Sequence, residues 1–150
     1  MVSFDHDYVA EVIGRLGKLE PDATPAWGRL TADGMIAHLA DAVRYSMGKG
    51  AQVKRLDNWF LRGIVAPLIL NGLVRIPKNV KGPDFRHPDR AAGPPDDLDT
   101  LHAVLEEYLG LIQAGELQCE PHPAFGDLGI DGWAKMHMRH FEHHMRQFGV

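Results

Sequence analysis

Along four stretches of the chain apolar residues return every three or four positions, the mark of helices with one buried face. From Phe4 to Leu19, residues Tyr8, Val9, Val12, Ile13, Leu16 and Leu19 predict a first helix, with Ser3 or Asp5 as N-cap and Pro21 as its stop. Thr31 offers a hydroxyl cap and Asp33 a first-turn acid for a second helix, whose face is Met35, Leu39, Ala42, Val43 and Ser46 and which runs up to Gly48. The clearest periodicity belongs to Leu98, Leu101, Leu105, Tyr108 and Ile112, capped by Asp96 or Asp97 and ended near Gly115. A last helix is expected from about Ile130 to Phe148.

Two segments break this rhythm. From about Arg55 to Val74 the pattern is helical but apolar almost all round, and Pro67 should kink or break it. Between Ile76 and Pro95 lie Pro77, Pro83, Pro88, Pro94 and Pro95, too many for a helix or a central strand, so a long loop is expected. No stretch alternates with period two over strand length, and no repeat or low-complexity tract is present. The pattern therefore predicts one all-α domain spanning residues 1–150, a helical bundle with one long crossover. The apolar segment Trp59–Leu70 should cap the bundle, roof a pocket or form a homodimer face, the alternative being an ordinary fifth core helix.

Charge and composition narrow the functions. The 150 residues carry 16 Lys+Arg against 20 Asp+Glu, a net charge of −4, which argues against nucleic-acid binding. The longest apolar run, Gly63 to Leu70, is less than half of the ~20 residues a membrane-spanning helix needs, so no membrane insertion is expected. The first residues carry acids and lack a long apolar stretch, which points to the cytoplasm. The lone Cys119 permits no internal disulfide, and with no activating motif beside it a structural role is expected. There is no GxGxxG, Walker, GxSxG, CxxC or HExxH motif to anchor nucleotide, serine-hydrolase, thioredoxin or zincin chemistry.

The nine histidines are the exception, because four of them fall between His137 and His144. On a helical wheel with His140 at zero, His144 lies at about +40°, His137 at about +60°, Trp133 at about +20° and Gln147 at about −20°, whereas Lys135, Arg139, Glu142 and Arg146 take the far side. The inward face of this helix is thus largely imidazole. Crowded buried imidazoles cannot satisfy one another, and a metal ion resolves that conflict. His140 and His144, spaced i, i+4, form a pair that can grip one cation, and His38, the only histidine of the second helix, faces inward with Met35, Ala42 and Tyr45 as a third ligand. His137 is expected as a pocket wall or supporting residue and His143 toward the edge of the face. His6, His87, His102 and His122 read as surface or loop residues, and Asp41 as either a carboxylate orienting an imidazole or a solvated helix acid.

The segments WGRLTADGMIAHLADAVRYSMG and HPAFGDLGIDGWAKMHMRHFEHHMRQFG resemble the DinB/YfiT-like family, in particular a small branch with HPxFG and HxxHHxxQFG signatures, over most of the chain. The resemblance implies a four-helix bundle of up-down-down-up connectivity with a metal held by three histidines, and its ligand pattern falls on His38, His140 and His144. Asp41 and Gln147 match residues that commonly accompany those ligands. Activities of related bundles include thiol S-transfer, thiol-dependent isomerisation and metal-dependent hydrolysis.

Three neutral ligands leave a divalent charge uncompensated and favour an anionic fourth ligand, hydroxide or thiolate. The sequence therefore suggests a metal-dependent enzyme, with zinc or nickel as the ion, a small-molecule substrate and a low-molecular-weight thiol as cosubstrate. S-transfer is preferred to hydrolysis because Glu142 points away and only Asp41 is near enough to serve as a base. The rival is a noncatalytic metal-binding stress-response protein, with His137 or His143 closing the coordination shell.

Overall fold

The computed structural model describes residues 3–56, 58–85 and 96–150. Among them the chain forms helices and no strand; the nearest approach to one is an isolated antiparallel bridge between His122 and Gly126. The four expected amphipathic helices are all present: α1 His6–Leu16, α2 Ala32–Ser46, α4 Leu98–Ala114 and α5 Gly129–Phe148. Between α2 and α4 a π-helical turn, Leu61–Val65, runs into the short α3, Ala66–Leu70.

Local chemistry explains the ends. The side chains of Asp5, Thr31 and Asp97 accept hydrogen bonds from the backbone N–H groups of Tyr8, Gly34 and Thr100, satisfying donors that have no partner within their helices. Gly115 closes α4 in the left-handed conformation at φ 69°, where a residue with a Cβ is strained. First-helix residues 17–19 fall outside the helix because Gly17 already caps it. Thr31→Ala removes one such cap, and a loss of about 1 kcal/mol in unfolding free energy is expected from urea titration.

The four long helices close into a ring in which α1 and α2 each pack against α4 and α5. Chain neighbours α1 and α2 therefore face each other across the bundle. Its interior is filled by Val9, Val12 and Leu16 from α1, Met35, Leu39 and Val43 from α2, Leu101, Leu105 and Tyr108 from α4, and Phe141 and Met145 from α5. One buried polar group pins this arrangement. Arg44 of α2 donates to Asp41 at 3.2 Å and to Asp96, just ahead of α4, at 2.6 Å, with all three side chains largely shielded from water. Asp41 is thus buried and occupied by a guanidinium, so the expectation of a solvated acid does not hold.

Pro67 does not break its helix. The N–H of Ala66 reaches back five residues to the carbonyl of Leu61, and this wider turn absorbs the chain just where proline would obstruct the ordinary i−4 carbonyl. The segment lies on α5. Its buried side is Ala66 and Ile69, while Trp59 is 72% exposed and Phe60 and Ile64 also face outward, so it is not an ordinary core helix. Past it, the chain to Phe85 is loop, as the prolines predict; Pro88, Pro94, Pro95 and His87 lie outside the described residues. No helix among the described residues is long and apolar enough to cross a membrane.

Candidate metal centre

Two helices bring three imidazoles to one point. His38 comes from the middle of α2, and His140 and His144, one turn apart, from α5. The Nε2 atom of His140 lies 2.9 Å from Nε2 of His38 and 3.1 Å from Nε2 of His144. One ring nitrogen from each falls within 4.8 Å of the others. Four ligands placed tetrahedrally around zinc at its usual Zn–N distance are about 3.3 Å apart, so small outward movements would admit an ion. The donor set fits as well: His140 Nε2 faces the Nε2 atoms of both His38 and His144, and a neutral ring nitrogen, carrying either one proton or one lone pair, cannot satisfy both contacts at once.

The proton on His144 is fixed from outside the cluster. Gln147 donates its amide N–H to the carbonyl of Trp27 at 2.7 Å, which turns its Oε1 toward His144 Nδ1, also at 2.7 Å. A carbonyl oxygen only accepts, so Nδ1 carries the hydrogen and Nε2 presents a bare lone pair to the centre. Backbone contact reinforces the link, since Ala26 N–H donates to the carbonyl of Gln147. Gly28 stands at φ 78°, and a Cβ there would come within 2.8 Å of the Gln147 amide nitrogen, so only glycine leaves that amide its place. Gln147→Leu should lower metal affinity by roughly 10–100-fold while leaving the three imidazoles in place; a competition titration with a chelating dye measures it.

Electrostatics keep the centre neutral. Burial, followed by repulsion from His38 and His144, holds His140 well below the ordinary imidazole range. His144 is pushed down to about 4 by burial and by His38, against the opposing hydrogen bond that it donates to Gln147. Neutral imidazoles are the form that binds a cation. Phe85, which the proline-rich pattern gave no reason to single out, comes to 6.3 Å from the His38 ring and packs on Tyr45, covering this side of the site.

The remaining histidines separate by role. His137 is 1% exposed, wedged among Phe4, Tyr108 and Trp133. The Ser46 hydroxyl gives its proton to the Val43 carbonyl, so His137 Nε2–H donates to Ser46 Oγ at 2.9 Å. It is a satisfied core residue stacked on Trp133. His143, expected at the edge of the face, is buried because Trp27 and the chain after α3 cover it; the two rings meet at 5.6 Å. His6 and His102 are surface residues beside Glu106, as expected.

His122, expected as a surface or loop residue, is not at the surface. It is in a loop but buried: its ring stacks on Phe125 at 4.6 Å, leans on Trp133, and accepts the backbone N–H groups of Ala124 and Phe125 at Nδ1. The HPxFG segment is therefore a turn folded around its own histidine, and that motif was the available signal. Cys119 is half-buried with its thiol pushed up by burial and by Asp127, the opposite of an activated nucleophile.

A family model described as "Protein of unknown function (DUF1569)" matches residues 3–149 of the chain. No curated protein and no solved structure matches it.

Proposed function

The chain belongs to the DUF1569 family, and from that premise we propose a metal-dependent enzyme whose divalent ion, zinc or nickel, is held by His38, His140 and His144. The single observation that carries this reading is the convergence of three Nε2 atoms, one of them stripped of its proton by the Gln147–Trp27 relay. When bound, the ion supplies a positive charge that three neutral imidazoles do not cancel, favouring an anionic fourth ligand such as a thiolate. Helix α2 and helix α5 hold the ligands, Gln147 orients one of them, and Phe85 shields the side toward the proline-rich loop.

Thiol S-transfer to a small electrophile is favoured over hydrolysis by the state of the carboxylates. Asp41 is engaged by Arg44, and Glu142 accepts from Arg15 at 3.1 Å, so neither is placed to deprotonate water. The DinB/YfiT resemblance, with its up-down-down-up bundle, supports the same reading through the helix-two histidine, the HPxFG turn and the terminal histidine helix. A noncatalytic metal-binding role in the cytoplasm is the alternative. Elemental analysis of untagged protein, followed by a thiol-plus-electrophile screen scored against His144→Ala, tests the proposal. Metal with thiol-dependent turnover that disappears in the variant supports it; ester or amide hydrolysis without any thiol reaction reverses the order, and absence of metal ends it. Outward-facing Trp59, Phe60 and Ile64 support a homodimer, which light scattering of Trp59→Glu against the parent would test.

A further inference from the structure

Beside the three-histidine centre lies a cavity of about 270 Å³ between the chain that follows α3 and one flank of α5. Its walls are Gly72, Val74, Arg75 and Ile76 on one side and Arg139, Glu142, His143 and Arg146 on the other. Three arginines line this small space in a chain whose net charge is −4. Among the described residues none of the three has a carboxylate partner, while the single acid of the cavity, Glu142, is drawn to Arg15. Deeper in the wall His143 is only 9% exposed, with Nδ1 enclosed by protein and its ring hydrogen-bonded to the backbone of Ile76, so it serves as a fixed wall of the cavity.

The backbone is shaped to this purpose. Gly72 has φ 72°, and a Cβ there would sit 2.5 Å from an Arg139 guanidinium nitrogen, so the missing side chain lets the loop lie directly on the guanidinium and hold it at the cavity wall. Guanidinium forks match the paired oxygens of carboxylates and phosphates, and the cavity suits a head group better than a whole drug-sized molecule. The His143 ring lies 5.1 Å from that of His144, which sets the cavity beside the centre.

We infer that the Arg75–Arg139–Arg146 cavity, walled by His143 and adjoining His144, is the subsite for the carboxylate or phosphate group of a small anionic substrate or cosubstrate. This rests on the proposed reading only for its purpose, not for its binding chemistry. Calorimetric titration of the protein with inorganic phosphate, and separately with malonate, should give saturable binding of at least one, and the tighter of the two names the class. Arg75→Gln should weaken that binding roughly tenfold, and Arg75→Gln combined with Arg146→Gln further still. Should the double variant melt early, Arg75→Gln alone, on an exposed loop, still decides. His144→Ala should lose metal but keep the anion, which separates this subsite from the metal proposal. Failure of both anions to saturate, indifference to the arginine substitutions, or loss of anion binding in His144→Ala alone would each overturn the inference. Anion binding in a protein that takes up no metal would leave it standing and remove only the proposed function.

Discussion

Replacing any one of His38, His140 and His144 by alanine is expected to remove most of the melting-temperature rise that added zinc or nickel produces. The three side chains bridge α2 and α5, so an ion bound between them stabilises only the folded chain. At a thousandfold excess of metal over its dissociation constant that linkage amounts to about 4 kcal/mol. For a domain of this length it corresponds to roughly 10 °C in Tm. Loss of one ligand from three should reduce occupancy at micromolar metal nearly to zero, whereas His6→Ala and His102→Ala, both at the surface, should change neither quantity. Differential scanning fluorimetry with and without metal, paired with elemental analysis, reads both. Full occupancy and full stabilisation in His38→Ala would mean that α5 binds the ion without α2, and the three-histidine geometry would be wrong. Affinity should also weaken in acid, because protons compete for the same lone pairs.

The second large effect is a loss of stability below neutral pH that does not involve the metal at all. Burial lowers His122 from 6.5 to about 4, and burial with the neighbouring His122 lowers His137 to about 3. Between those values and 6.5 the unfolded chain binds protons that the folded chain refuses, so unfolding free energy rises with pH through this window and falls as acid is added. Each unit of depression is worth about 1.4 kcal/mol per group, and the two together reach several kcal/mol, a large fraction of the roughly 5–15 kcal/mol that holds a small domain folded. Urea unfolding at stepped pH should reveal the uptake of protons on unfolding. His137→Gln keeps a donor for Ser46 Oγ and should lower that uptake by close to one proton between about pH 6 and pH 4. An unchanged slope would show that His137 already carries its proton in the fold.

What could be read along the chain was whatever depends on neighbours three or four residues away. The helix faces of Val9–Leu16, Met35–Val43 and Leu101–Tyr108 follow from such spacing, and so does the His140–His144 pair. His38 joins them because it shares the inward face of its helix with Met35 and Ala42. Contacts that cross the bundle left no comparable mark. The Gln147 amide meets a carbonyl 120 positions away, Arg44 reaches Asp96 across 52, and His122 is buried by a ring that belongs to α5. His143 looks peripheral on an isolated wheel because a wheel contains no Trp27. The π turn before Pro67 was likewise invisible, since apolar periodicity does not distinguish a proline that breaks a helix from one that a widened turn accommodates.

The tether from Trp27 to Gln147 makes the tautomer of His144 a property of loop dynamics. Linkers between helices open locally far more often than the whole domain unfolds. Whenever residues 26–28 lift away, the Gln147 amide loses the carbonyl that orients it and is free to rotate, offering His144 Nδ1 a donor in place of an acceptor. The imidazole hydrogen is then expected to move to Nε2, which would cost the centre a lone pair without any histidine leaving its helix. Protection of the Ala26 amide against deuterium exchange should therefore track metal affinity across variants of this loop.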